Sequence, residues 1–119
     1  MKYMALIYYD PAQAPVMGSP DQQLELADYY AFADELFGSG RGLAGEPLEP
    51  PSTAKTVRLR DGKSVITDGP FAETKEVLGG FYLLEAGDID EALAWAAKIP
   101  TARYGAIEVR PLMVLPPMS

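Results

Sequence analysis

Four ionisable side chains stand within nine residues of one another in Asp68-Gly69-Pro70-Phe71-Ala72-Glu73-Thr74-Lys75-Glu76. A carboxylate at the end of a strand, facing a cleft, can have its pKa raised by desolvation or by a neighbouring carboxylate and then serve as a general acid or base. Asp68 is the candidate for that role, with Glu73 and Lys75 beside it as substrate contacts. The same residues also spell a turn. Asp bonds its own backbone, Gly admits unusual dihedrals and Pro fixes φ, so an Asp before Gly-Pro is more often a turn cap than a catalyst.

Two other groups could meet a ligand. Lys55, Arg58, Arg60 and Lys63 form a local positive patch in an acidic chain. Arg58 is the candidate clamp for a carboxylate, which guanidinium binds bidentately, although charged hairpin faces are commonly just solvated. Glu108 and Arg110 lie two apart on one strand face, either as an ion pair or with Arg110 orienting a substrate. Tyr82 joins Tyr3, Tyr8 and Tyr9 as an aromatic with a polar tip, placed by default in a core or interface but able to contact substrate. Trp95 reads as packing. Gly79-Gly80 permits close approach of a backbone or a ligand. Asp10 with Asp68 offers two carboxylates to a hard cation, with no spacing signature behind it. No phosphate-binding loop or dinucleotide fingerprint is present, and the expectation is that the protein uses no metal and no cofactor.

Composition narrows the chemistry. The chain has 119 residues, ten Lys or Arg against seventeen Asp or Glu, and a net charge of −7. Such a balance disfavours nucleic acid and anionic membranes, which call for a basic face. There is no Cys and no His, so disulfides, thiolate or imidazole metal ligands and the Ser-His-Asp triad are excluded. The N-terminus lacks the long apolar core of a signal peptide and no run approaches a membrane span, which predicts a cytoplasmic protein.

The elements that must position these residues follow from periodicity. Lys2–Tyr9 is nearly all apolar and predicts a strand buried on both faces. Ser19-Pro20-Asp21-Gln22 starts a helix as a capping box with Pro at the first position, running to about residue 37 with Leu26, Tyr29, Tyr30, Ala33, Leu36 and Phe37 inward. Residues 42–51 read as an irregular connection with room for an edge strand. Residues 54–60 alternate, Asp61-Gly62 is a hairpin turn, and 63–67 return. Residues 81–86 form a further strand. Asp88 caps a second helix to about residue 98, with Ile89, Ala92, Leu93, Ala96 and Ala97 inward, and Pro100 stops it. Residues 106–115 form the last strand. The order predicts one domain over 1–115 with a tail at 116–119. The fold class is α+β: a ferredoxin-like sandwich with two helices on one face of an antiparallel sheet. The opposite sheet face stays apolar, so a homodimer with the two sheets packed face to face is expected.

TDGPFAETKE followed by LGGFYLLEA, DEALAWAAKIP and IEVRP resembles the YCII-related family in its DGPF-motif branch. The resemblance spans nearly the whole chain, from MKYMALIYYD through GEPLEPP and TVRLRDG. It implies a dimeric α/β barrel of ferredoxin-like protomers. Members of that branch are often encoded beside extracytoplasmic-function sigma factors. The wider group includes lyases and dehydrochlorinases that use a His with an Asp, and muconolactone isomerase-like proteins have a related fold. A His–Asp relay cannot operate in a chain without His. Proton transfer would then fall to Asp68, the motif's acidic position, or to Glu73, Glu76, Tyr8 or Tyr82.

Two functions follow as expectations. The first is binding of a small anionic or carbonyl-bearing metabolite at a strand-end pocket, with lyase- or isomerase-type acid–base chemistry. The second is a non-catalytic accessory that docks a partner such as a sigma factor. The residues leave open whether the chain is an enzyme at all.

Overall fold

Ser19 and Asp88 organise the helical layer. Ser19 Oγ accepts from the Gln22 amide at 3.2 Å and opens α1 (Pro20–Gly38) with Pro at its first position; Asp88 Oδ1 accepts from the Glu91 amide at 2.9 Å and opens α2 (Ile89–Ala96). In both boxes the side chain three residues on reaches one residue further back than the cap. Gln22 Oε1 accepts from Gly18 N and Glu91 Oε2 from Gly87 N, so orphan amides at each helix start are satisfied. The structure is a computed structural model and describes residues 1–118; the final residue of the expected tail, Ser119, lies outside the described residues.

The sheet has four antiparallel strands. They are β1 (Lys2–Tyr9), β2 (Gly42–Pro47), β5 (Val77–Glu85) and β6 (Ala106–Pro111), in the order β2-β5-β1-β6. The other two strands, β3 (Lys55–Arg60) and β4 (Lys63–Asp68), pair only with each other in a separate hairpin. Its turn residues Asp61 and Gly62 both have positive φ, 53° and 75°, as a two-residue hairpin turn of this kind requires. Both helices pack on one sheet face, as the α+β reading expects. Tyr3, Ala5, Ile7 and Leu84 meet Phe32 and Leu36 of α1, Ala92 of α2, and Ile99.

The connection after α1 holds the edge strand for which it left room, β2. Several other expectations are corrected. β5 starts four residues before the expected boundary, because Leu48 N bonds Gly79 O and Tyr9 pairs with Val77. β6 ends at Pro111 rather than at residue 115. β1 is not buried on both faces: Tyr3, Ala5 and Ile7 are buried, while Met4, Leu6 and Tyr8 are half-buried on the outer face. In α1 the core residues are Phe32 and Leu36, and Leu26, Tyr30 and Phe37 are exposed. Two apolar stripes run side by side on this helix, and the large ring of Phe32, edge-on to Tyr82 at 5.1 Å, decides which one faces the sheet. In α2, Ala92 and Ala96 are buried while Ile89 and Leu93 are exposed, as is Ala97, the C-cap of a helix that ends at Ala96, two residues short of the expected end at about 98. Small residues on the inner stripe let this short helix lie close to the sheet.

Candidate functional site

α1 is held away from the end of the sheet where β1 stops, and a cavity of about 520 Å³ opens there. The gap exists because the sheet side is built from small or flat residues. Gly45, Pro47, Gly79 and Gly80 line it, together with Ile7 and Tyr82. A Cβ on Gly79 would sit 2.6 Å from the Tyr9 ring, and one on Gly80 would sit 2.8 Å from the Glu46 carbonyl oxygen. The glycine pair therefore lets Tyr9 and β2 close over β5 and shape the wall.

The polar part of the cavity is a chain of hydroxyls ending on one carboxylate. Glu25 of α1 accepts from the Tyr104 hydroxyl at 2.7 Å and from Thr101 Oγ1 at 3.4 Å. Thr101 Oγ1 lies 2.5 Å from the Tyr29 hydroxyl. Either hydroxyl can donate in that last bond. Thr101 lies in the 3-10 turn Pro100–Arg103 and Tyr104 follows it, so the network ties α1 to the segment leading into β6. All four side chains line the cavity.

The phenols here are held neutral. Burial raises Tyr82 to about 12 and raises Tyr29, against the opposing bond to Thr101. Burial first, and then the bond to Glu25, also raises Tyr104. Each is therefore a donor rather than a phenolate near neutral pH. The linkage has a definite sign. Below the ordinary phenol value of 10.0 the proton is present in folded and unfolded chains alike. As pH rises from 10.0 to about 12 the unfolded chain loses it while folded Tyr82 keeps it, so stability falls across that window. Tyr29 and Tyr104 act in the same direction. Urea midpoints measured from pH 9 upward should decline above pH 10, and less steeply in Tyr82→Phe; equal slopes would refute the assignment.

Of the catalytic and substrate-contact candidates named from sequence, only Tyr82 lines this cavity; the Gly79-Gly80 pair and Tyr9 line it too. Asp68 is 86% exposed at the end of β4, and its carboxylate is bonded to Lys55 Nζ at 2.6 Å rather than to its own turn backbone. Arg58 is on the hairpin, and Glu73 and Lys75 are exposed in the following loop. Arg110 pairs with Glu108 at 3.2 Å on the outer sheet face. Asp10 accepts from Ala12 N and lies 3.9 Å from Lys75 Nζ, so Asp10 and Asp68 each have a cation of their own. Among the described residues no cluster of acidic side chains could hold a metal ion, and no helix is long and apolar enough to cross a membrane. Glu25, Thr101 and Tyr104 were missed from sequence. One signal was available: Glu25 shares the inward stripe of Gln22, Tyr29, Phe32 and Leu36, and a carboxylate on such a stripe needs partners.

Residues 1–116 match the family model described as the YCII-related domain. The chain is 34% identical over 119 residues to an uncharacterised protein of Rhizobium meliloti (strain 1021), covering 98% of this chain and 96% of that one. Its fold is similar to that of 5-chloro-2-hydroxyhydroquinone dehydrochlorinase from Burkholderia phenoliruptrix AC1100, solved as a complex with 2,5-dihydroxybenzoquinone. The TM-score is 0.50 at 17% identity, covering 95% of this chain and 94% of that one.

Proposed function

The chain belongs to the YCII-related family, and from that premise we propose that its cavity binds a small, neutral, ring-shaped molecule carrying carbonyl or hydroxyl groups. The observation that carries this reading is the Glu25–Thr101–Tyr104–Tyr29 network set in an otherwise apolar, tyrosine-rich cavity. Among the described residues no Lys or Arg lines it. A neutral ligand is therefore favoured over the anionic one that Arg58 or Arg110 would clamp. The dehydrochlorinase with a similar fold was solved with a hydroxylated quinone, a ligand of this class.

The chemistry this arrangement supports is proton transfer of the lyase or isomerase kind. Glu25 takes a proton from a carbon or hydroxyl next to a carbonyl, and the electron pair moves onto the carbonyl oxygen. Tyr82 holds its proton to about 12, so its hydroxyl can donate to that oxygen as charge develops there. Glu25 thus replaces the His–Asp pair of relatives and takes the part first read into Asp68. The TDGPFAETKE segment supports a reading of the chain as a member of the DGPF-motif branch. The half-buried apolar outer face, with Met4, Leu6, Phe81 and Leu83, supports a homodimer whose sheets meet face to face as a dimeric α/β barrel.

A thermal-shift screen of hydroxyquinones and hydroxyphenyl ketones, begun with 2,5-dihydroxybenzoquinone, tests the reading. A ligand at about a hundred times its Kd stabilises by about 2.7 kcal/mol, several degrees in a domain of this size. Ala33→Phe, which fills the cavity from α1, should keep the fold and abolish the shift. A panel without any response, together with co-purification of a sigma factor, would favour the accessory role instead.

A further inference from the structure

The β3–β4 hairpin cannot be explained by its own protomer. Every residue of β4 is exposed. One face carries Val57, Leu59 and Ile66, which are 63%, 68% and 66% exposed. The opposite face carries Arg58, Arg60 and Lys63, with the less exposed Val65 paired to Arg58. This ribbon is two-faced in the manner of a strand pair that covers an apolar surface, and a lone two-stranded hairpin is marginal in water. Its six-residue strands span about 20 Å, matching the 19 Å thickness of the protomer. The radius of gyration, 16.7 Å, exceeds the roughly 13–14 Å of a compact chain of this length, as a projecting arm requires.

A second uncovered apolar surface lies on α1. Leu26, Tyr30 and Phe37 form one exposed stripe, with Asp34 beside it. α1 carries five acidic residues and no basic one, whereas the arm holds four of the chain's ten basic residues and two of its seventeen acidic ones. The stripe and the arm are thus complementary in charge and both apolar at their centres, yet they do not cover each other within one chain.

We propose that the arm is exchanged between two copies of this chain: the Val57–Leu59–Ile66 face of each protomer lies on the Leu26–Tyr30–Phe37 stripe of the other. Two-fold symmetry pairs both surfaces at once and leaves neither bare. The positive arm and negative helix orient the encounter, and the apolar centres supply the burial. An arm as long as the protomer is thick can pass from the sheet interface round to the partner's helix layer. Leu26 and Tyr30 also line the cavity mouth, so the partner's arm roofs the ligand site. The inference builds on the homodimer proposed above but can fail without it.

The experiment uses light scattering and directed cross-linking. Wild type should run at twice 12.9 kDa. Leu59→Ser with Ile66→Ser, both at exposed positions, should keep the circular dichroism spectrum and weaken association at least about tenfold. The chain has no cysteine, so single-cysteine copies report cleanly. Mixed Leu59→Cys and Tyr30→Cys copies should cross-link, and Leu59→Cys with Asp90→Cys on α2 should not. A dimer untouched by the serine pair and without the cross-link overturns the exchanged arm while leaving the face-to-face dimer standing. A wild type that stays monomeric at about 100 μM overturns both. A Leu59→Cys, Tyr30→Cys double variant that closes only within one chain shows the arm folding on its own protomer, which also overturns the exchange.

Discussion

Gly105→Ala is expected to destabilise the protein by about 3 kcal/mol or more, at the upper end of what overpacking costs. A Cβ at this position would lie 2.2 Å from the Tyr8 carbonyl oxygen and 3.2 Å from that of Thr101. Both are backbone atoms, so no rotamer change relieves the clash, and β1 must separate from the segment entering β6. Gly105 also donates its amide to Thr101 O at 2.7 Å, which closes the turn holding Thr101 and Tyr104. The change should therefore lower the urea midpoint and remove the response to ligands together. A loss within 0.5 kcal/mol, the ordinary range for a neutral surface change, would mean that the strands are not packed this closely.

Glu25 should separate stability from chemistry. Glu25→Ala leaves the Tyr104 and Thr101 hydroxyls without their acceptor, at a cost of about 1–3 kcal/mol for groups this deep. Glu25→Gln keeps an amide oxygen for the same two donors and should fold almost as stably as wild type. Its amide accepts no proton, so exchange of solvent deuterium into a bound carbonyl probe should slow by about 10²–10⁴. NMR of the probe in D₂O reads that rate. Exchange unchanged in the Gln variant, with the probe still bound, would place the base elsewhere and return Asp68 to first rank.

What local chemistry could determine, the sequence alone determined. The two helix caps at Ser19 and Asp88, the Asp61-Gly62 turn and β1 each depend on a few neighbouring residues, and each is found where the pattern puts it. The two-helix α+β class follows from the order of those elements. The family followed from the resemblance of whole segments and not from any single residue.

The site was beyond that reach. TDGPFAETKE drew attention because its charges are close together in sequence, yet the fold leaves Asp68 paired with Lys55 on an exposed arm. The four groups of the cavity network come from α1 and from a turn more than seventy residues later. Their meeting depends on how α1 packs over that turn, while the glycines at positions 45, 79 and 80 let Tyr82, Tyr9 and β2 lie close on the sheet side of the cavity. The helix face was decided the same way. Periodicity put Leu26, Tyr30 and Phe37 inward with Leu36, whereas the packing of Phe32 against Tyr82 and Trp95 turns the neighbouring stripe to the sheet. Helical period is a property of the chain, but burial is a property of what lies opposite, and only tertiary structure supplies that.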